Sequence, residues 1–412
     1  MHIKELTNEE FKNFSSTYNL KSIYQTVEYG LVMNKQGFNT LFVGLIDNEN
    51  IIGATLILIE KKSNFNYAYA PRGFLIDYNN YSLLETFTKE LKKFLSKKNV
   101  IAIKLCPMLI KSTYDKKNNL TIENNYFETV YNNLKKLGYY HFGFNKYFEA
   151  LKPRFEAVIE LNNPYYILFN DIKKEFRTKI RSAETNGIKV YKGNQSNLEY
   201  LYLQTKKKYP RDLEYFKDCY KYFNLNKNID FFYTKLDCEK FLRLITKKYQ
   251  NQEKICIELN NKLINNNDNS IIKLKMEADL NMEKYRKQLV KATKYLKDHP
   301  NGIITSSCLV AKNKDICYLL MDGYDPKYKS LNSKHLLIWK LIEKYSNEGY
   351  KIFNLGGITD LETPDKYKGL NEFKLGFNSK AIEYIGDLEL ITNNTLYFMY
   401  KNSISIKNIL KK

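Results

Sequence analysis

Apolar and polar residues alternate in short bursts over the first hundred positions. LFVGL (41–45) and IIGATLILI (51–59) read as two strands, with the polar DNEN between them as a hairpin turn. A third strand is expected near Phe65 to Tyr69. The period then changes from two to three and four, and Leu84, Phe87, Leu91, Phe94 and Leu95 mark one face of a helix. Val100 to Leu105 closes the unit as a strand. The same order returns later in the chain. Strands at Ile303–Ala311 and Ile316–Met321 flank the turn KNKD, a helix covers roughly Ser333–Tyr345, and Lys351–Leu355 closes. Hairpin, helix and closing strand, met twice, predict a duplicated α/β unit within an α/β (α+β) protein.

Residues 239–298 break this pattern. They hold no Gly and no Pro. Leu242, Ile245, Tyr249, Cys256, Leu259 and Leu263 keep helical spacing, and Tyr285, Leu289, Ala292 and Leu296 repeat it beyond a polar NNNDNS turn (265–270). One narrow apolar seam per helix, with charge on the other faces, predicts an antiparallel two-helix coiled-coil arm ended by Pro300 and Gly302. The arm is expected to satisfy its seam within itself. The division that follows is 1–150 for the first subdomain, 151–238 with 299–380 for the second, and 239–298 for the arm. Residues 381–412 are expected to return to the first subdomain.

Charge narrows the partners. The chain of 412 residues carries a formal net charge of +21, spread along its length, which favours anionic ligands such as nucleic acid, phosphates or a membrane surface. None of the six cysteines forms a CxxC pair, and none of the four histidines sits in a ligand-like pair, so no metal and no cofactor are expected. Residues 1–12 are polar, with no leader-like apolar run, and no apolar stretch approaches the ~20 residues that span a bilayer. A cytoplasmic protein, able to reach a membrane-borne substrate only from the surface, is the expectation.

Three segments could carry chemistry. In Tyr67-Ala-Tyr-Ala-Pro-Arg-Gly73, Arg72 offers a guanidinium fork to a carboxylate or phosphate, or else to Asp77. Asn354-Leu-Gly-Gly-Ile358 ends the second closing strand, where Gly356 and Gly357 allow a ligand or another stretch of chain to come close. In YKGLNEFKLGF (367–377), Lys374 lies among apolar neighbours, where a lysine can neutralise charge developing on a reacting carbonyl or simply snorkel.

PRG with a following Asp, then NLGGI, then GLxxFKxxF, with a helical arm before the last two, resembles the FemABX family of tRNA-dependent aminoacyltransferases that build peptidoglycan interpeptide bridges. The resemblance covers nearly the whole chain. It implies two GNAT-like acyltransferase subdomains, an aminoacyl-tRNA donor carrying Gly, Ala or Ser, and a muropeptide acceptor, lipid II or a UDP-linked precursor. QTVEYGLVMNK resembles the family's QSxEW segment, which makes Lys35 a candidate for the precursor's phosphates. Arg211 and Tyr215, in PRDLEYF, look like the family's Arg-x-x-x-Tyr substrate contact, and Tyr324 resembles a cleft tyrosine. Phe373 and Lys374 match the family's Phe-Lys pair, in which the lysine is implicated in transfer. Cys106 stands where the family often has an acid before proline. The arm resembles that of the branch working on lipid II at the membrane. Two other readings compete. An acetyl-CoA-dependent N-acetyltransferase would need a Q/RxxGxG/A loop, and neither PRGFLIDYNN nor DGYDPKYKSLN supplies one. A non-catalytic RNA-binding protein would use the basic arm alone.

Overall fold

The structure is a computed structural model that describes residues 1–18, 22–62, 64–115, 119–207, 211–265, 268–361 and 366–409. In chain order its strands begin with β1 (His2–Glu5), β2 (Asn39–Asp47), β3 (Asn50–Lys62), β4 (Phe65–Ala70), β5 (Val100–Leu105), β6 (Ile110–Tyr114), β7 (Leu120–Glu123) and β8 (Tyr139–His141). They continue with β9 (Phe155–Glu160), β10 (Ile188–Gly193), β11 (Ile229–Leu236), β12 (Ile303–Asn313), β13 (Ile316–Tyr324), β14 (Ile352–Ile358), β15 (Lys380–Tyr384) and β16 (Leu388–Ile391). Among the described residues they form two sheets, ordered β1-β2-β3-β4-β5-β16-β8 and β10-β11-β12-β13-β14-β9-β15-β6-β7.

The duplication is visible in the pairing. In the first sheet β2, β3 and β4 run antiparallel, the helix Tyr81–Lys97 crosses over, and β5 returns parallel to β4. In the second, β11, β12 and β13 run antiparallel, the helix Ser333–Asn347 crosses over, and β14 returns parallel to β13. The sequence pattern shows only two strands before the second crossover. The missing one is β11, separated from β12 in sequence by the arm. Leu236 pairs with Ile303, so the arm is an insertion into the turn of a β-hairpin.

The sheets do not part at residue 150. β6 and β7 extend the second sheet because β15 pairs with β6. β16 completes the first sheet between β5 and β8, while β15, three residues earlier, belongs to the second. The two halves thus exchange strands, a long-range pairing that local periodicity cannot report. They also share apolar packing: Phe11, Ile23, Val32 and Leu56 of the first half lie in one cluster with Phe216, Phe231 and Leu309 of the second. Each such buried side chain contributes roughly 1.5–3 kcal/mol.

The arm helices Cys238–Asn265 and Asn269–Asp298 have 28 and 30 residues. At about 1.5 Å per residue each is roughly 42–45 Å long. They lie antiparallel, with Gln252 Nε2 donating to the Ala278 carbonyl at 3.2 Å and the small side chains Cys256 and Ala278 buried between them. The turn expected at 265–270 falls partly on residues 266–267, outside the described residues. Self-sufficiency of the whole hairpin is corrected by its base. Phe241, Ile245 and Ala292 are buried in the core of the second half, and Tyr295 stacks on Phe241 and meets Tyr328 edge-on. Only the outer part projects; Ile264 is 81% exposed and Leu280 73%.

Candidate functional site

The site is held by a chain of hydrogen bonds running from one half to the other. Gln25, in the short 3-10 turn Ile23–Gln25, is buried; its Nε2 donates to the Pro71 carbonyl at 2.7 Å and its Oε1 accepts from the Leu56 amide at 2.8 Å. This fixes the Pro71-Arg72-Gly73 turn. A Cβ on Gly73 would lie 2.6 Å from Thr55 Oγ1, so no larger residue fits beneath it. Arg72 adopts φ 55° and is 3% exposed. Its Nη2 donates to Glu156 Oε1 at 2.6 Å and to the Pro153 carbonyl at 2.8 Å, and its guanidinium lies 4.5 Å from the Tyr384 ring centre. Arg72 is therefore paired neither with Asp77 nor with open space. A cation this deeply buried needs a permanent counter-charge, and Glu156 on β9 supplies it.

Glu156 carries the connection onward. Its Oε2 accepts from Asn354 Nδ2 at 2.7 Å, and Asn354 Oδ1 accepts from the Gly356 amide at 2.7 Å. The Gly357 carbonyl accepts from Lys374 Nζ at 2.8 Å. The close approach that the glycines permit at Gly357 is made by the chain itself: a Cβ there would lie 2.3 Å from Pro153 Cγ. Gly356, at φ 78°, has Lys374 Nζ beside it. Lys374, in the helix Lys368–Leu375, is buried, not a snorkelling surface residue. Burial lowers its ammonium pKa to about 8, opposed by Asp322 and assisted by Lys334.

Two hollows flank this chain of contacts. One, of about 350 Å³, is lined by Tyr324, Asn332, Ser333, Lys334, His335 and Phe373. Lys334 pairs with Asp322 and lies 4.5 Å from the Phe373 ring centre. His335 packs edge-on against Phe176 and Phe373, and burial, with Lys179 and Lys334 nearby, lowers its pKa to about 4. It stays neutral at physiological pH. The other hollow, of about 430 Å³, is lined by Tyr29, Tyr69, Lys104, Lys152, Arg211 and Tyr397, among others. Arg211 covers Tyr215 at 4.6 Å. Lys35 is exposed at the end of the helix Val27–Lys35, two residues beyond Met33, which lines that hollow.

The structure thus gathers Tyr324, Gly356, Gly357, Phe373 and Lys374 in one neighbourhood and Arg211 and Tyr215 in another. Arg72 joins the halves between them, and Lys35 stands apart. Cys106 lies under Arg72, its Sγ 3.2 Å from the Tyr69 hydroxyl, and burial pushes its thiol pKa up, so no acid stands there. Sequence reading missed Glu156, His335, Lys334 and Lys152. Glu156 left one trace: in FEAVIE it is an acid within an apolar strand, which a buried strand accepts only with a partner. Among the described residues no cluster of His, Cys, Asp or Glu could hold a metal ion.

The family model described as the FemAB family matches residues 6–403. The chain belongs to the FemAB family. It is 25% identical to the aminoacyltransferase FemA of Staphylococcus epidermidis over 99% of this chain and 100% of that one. It is 24% identical to the lipid II:glycine glycyltransferase of Staphylococcus haemolyticus, over 96% and 94% of the two chains. Among solved structures it is similar to FemX, with a TM-score of 0.73, 19% identity and coverage of 97% and 99%. A tandem GNAT protein from the clavulanic acid biosynthesis pathway shares the fold more distantly, with a TM-score of 0.50, 7% identity and coverage of 95% and 98%. Two GNAT-like units joined in one chain describe this FemAB protein.

Proposed function

We propose that this FemAB protein transfers an amino acid from a charged tRNA to the peptide of lipid II, building the interpeptide bridge of peptidoglycan. It is an acyl-transferring enzyme. The observation that carries the reading is Lys374: a buried ammonium held by the Gly357 carbonyl, adjacent in the chain to Phe373, which lines a hollow together with Tyr324. An aminoacyl ester is already activated. The acceptor amine attacks its carbonyl, the C–N bond forms, and a tetrahedral oxyanion develops. The Lys374 ammonium donates to that oxyanion, where a preorganised charge in a water-poor site counts most. Collapse breaks the ester C–O bond; the ribose oxygen leaves and gains the proton that the amine loses. Binding and orientation of the two substrates supply much of the remaining rate.

The acceptor's anionic groups fall to Arg211 and Lys35, and the donor's phosphates to the arm. Of the arm's cations Lys247, Lys273 and Lys284 are exposed, whereas Lys275 pairs with Asp279 and Arg286 with Glu283. For the membrane, the supporting feature is an aromatic rim. Tyr140, Phe142, Phe144, Phe148 and Leu151 are exposed, Phe142 and Leu151 line the hollow that holds Arg211, and Lys104 lies 4.2 Å from the Phe142 ring centre. Aromatic rings beside lysines suit an anionic bilayer interface. No helix among the described residues is long and apolar enough to cross a membrane.

Incubation with a mixed pool of charged tRNA and lipid II, followed by mass spectrometry, tests the proposal. The expected product is lipid II one amino acid heavier, dependent on charged tRNA. Acetylation from acetyl-CoA, or tRNA binding with no product, would favour the two rival activities. Sedimentation with phosphatidylglycerol vesicles, lost in Phe142→Ser/Phe148→Ser and absent with phosphatidylcholine, tests the rim.

A further inference from the structure

Lys152 is a cation that nothing in the reaction scheme uses. It lies between β8 and β9 and lines the same hollow as Arg211. Its Nζ sits 3.5 Å from the ring centre of Tyr24 and 5.7 Å from that of Tyr29. No ion pair or hydrogen bond to a carboxylate holds it among the described residues. The aromatic faces compensate it only in part, since a cation over a ring gains less than a desolvated ammonium gives up in leaving water.

The charged and titratable groups around it settle what could neutralise it. Cys106 is a buried thiol that interacts with it, and burial raises the Cys106 pKa, so it carries no charge at neutral pH. Cys219 is likewise pushed up, to about 12. Tyr24 and Tyr29 are raised by burial and stay neutral. Arg72 and Arg211 repel the ammonium; Glu156 attracts it but is already bonded to Arg72 and Asn354. Glu60 and Glu389 also line the hollow, but Glu60 pairs with Lys62 and Glu389 accepts from the Tyr67 and Tyr397 hydroxyls, so among the described residues Lys152 and Arg211 face it with no carboxylate bonded to either. Such a pair is unfavourable until an anion enters.

We propose that Lys152 and Arg211 together form an anion-binding subsite, which takes an oxyanion of the acceptor and gains a proton on Lys152 as it does so. This rests on the assignment of the Arg211 hollow to the acceptor. The chemistry is that of a diphosphate or of a peptide carboxylate. Burial, with Arg72 and Arg211 adding to it, lowers the Lys152 pKa to about 7. A bound anion favours the charged form and raises that pKa. Below about pH 7 Lys152 is already protonated, and its contribution to affinity is constant. Above it, each complex must take up a proton, and affinity falls by up to about tenfold per pH unit until the pKa of the bound state is reached.

Calorimetry on the full chain at pH 8, in HEPES and in Tris, reads the proton directly. The probes are the UDP-linked muramoyl pentapeptide, the free pentapeptide, and inorganic pyrophosphate. The wild type should take up a substantial fraction of a proton with whichever probe carries the recognised oxyanion: the nucleotide-linked probe and pyrophosphate for a diphosphate, the nucleotide-linked probe and free peptide for a carboxylate. Lys152→Met should bind that probe about tenfold or more weakly, with no uptake. Lys152→Arg, charged at every pH, should bind without uptake and with a flat affinity between pH 7 and 9, which excludes misfolding as the cause. Uptake and affinity unchanged in Lys152→Met would overturn the subsite and leave the acceptor assignment standing. Wild-type protein that binds none of the probes would overturn both.

Discussion

After β4 the chain turns through Pro71-Arg72-Gly73 toward the helix Tyr81–Lys97, and after β13 it turns through residues 325–332 into the helix Ser333–Asn347. The two junctions occupy the same place in the duplicated unit, where a strand feeds a crossover helix. Junctions of this kind are where α/β units usually hold ligands. In the first copy the place is closed. Gln25 grips the turn from one side, Glu156 holds Arg72 from the other, and Gly73 leaves no room for a ligand. In the second copy the place is open. Tyr324, Asn332, Ser333 and Lys334 line a hollow there, and Phe373 forms part of its wall. A duplicated unit has divided its labour: one junction joins the halves, and the other stays open, where we propose that the chemistry takes place. The first copy's own hollow lies elsewhere, between tyrosines and the cations Lys152 and Arg211.

The largest expected effect breaks the closed junction. Glu156→Gln removes the counter-charge and leaves Arg72 buried and unpaired, a change that typically costs about 3–5 kcal/mol. Urea unfolding should show a loss of that size; a loss under about 1 kcal/mol would mean that Arg72 finds water or another partner, and that the closure is not electrostatic.

A second effect sharpens the contrast between the copies through the insertion that only one of them carries. The base of the arm is core, so the informative change replaces residues 250–282 by a short Gly/Ser turn and spares Phe241, Ile245 and Ala292. The protein should stay folded, because β11 and β12 pair without help from the arm's outer part. Transfer from full-length charged tRNA should fall on the order of 100-fold as phosphate contacts are lost, with a minimal aminoacyl-ester donor affected far less. Equal losses with both donors would remove the arm from tRNA engagement, and unfolding would make its outer part structural.

A smaller effect belongs to the first copy's hollow. Lys35→Glu and Arg211→Glu should each raise the acceptor KM by about tenfold or more, as loss of a charged hydrogen bond does, with tRNA affinity nearly unchanged. Parallel weakening of tRNA and acceptor would make these general electrostatic contacts instead. Lys35, exposed and outside the hollow's lining, is the harder case of the two.

How much of this was legible in the sequence differs by kind of interaction. The periodic elements stand where the pattern puts them: the crossover helices, β5, β12 and the two arm helices all fall within a few residues of expectation. Strand partners do not follow from period. β11 was hidden because the residues it pairs with lie beyond an insertion, and β6, β7 and β15 join the second sheet through partners distant in sequence. The Phe373–Lys374 pair was legible because its motif is contiguous. Glu156, Lys152 and His335 were not, since each acts through partners distant in sequence, and a lone charge in an apolar segment does not say which partner it has. Arg72 shows the converse: its motif was conspicuous, but conspicuousness could not separate a residue that binds a ligand from one that closes an interface.

The account stands or falls on placing the chemistry in the second copy, at Lys374. Single-turnover transfer to lipid II, measured beside the acceptor's Kd for wild type and Lys374→Ala, tests this most directly. Loss of one donor to a developing oxyanion should lower the rate on the order of 10²–10³-fold, with the Kd changed by no more than about threefold. An unchanged rate, or a Kd that rises in step with the loss of rate, would contradict it.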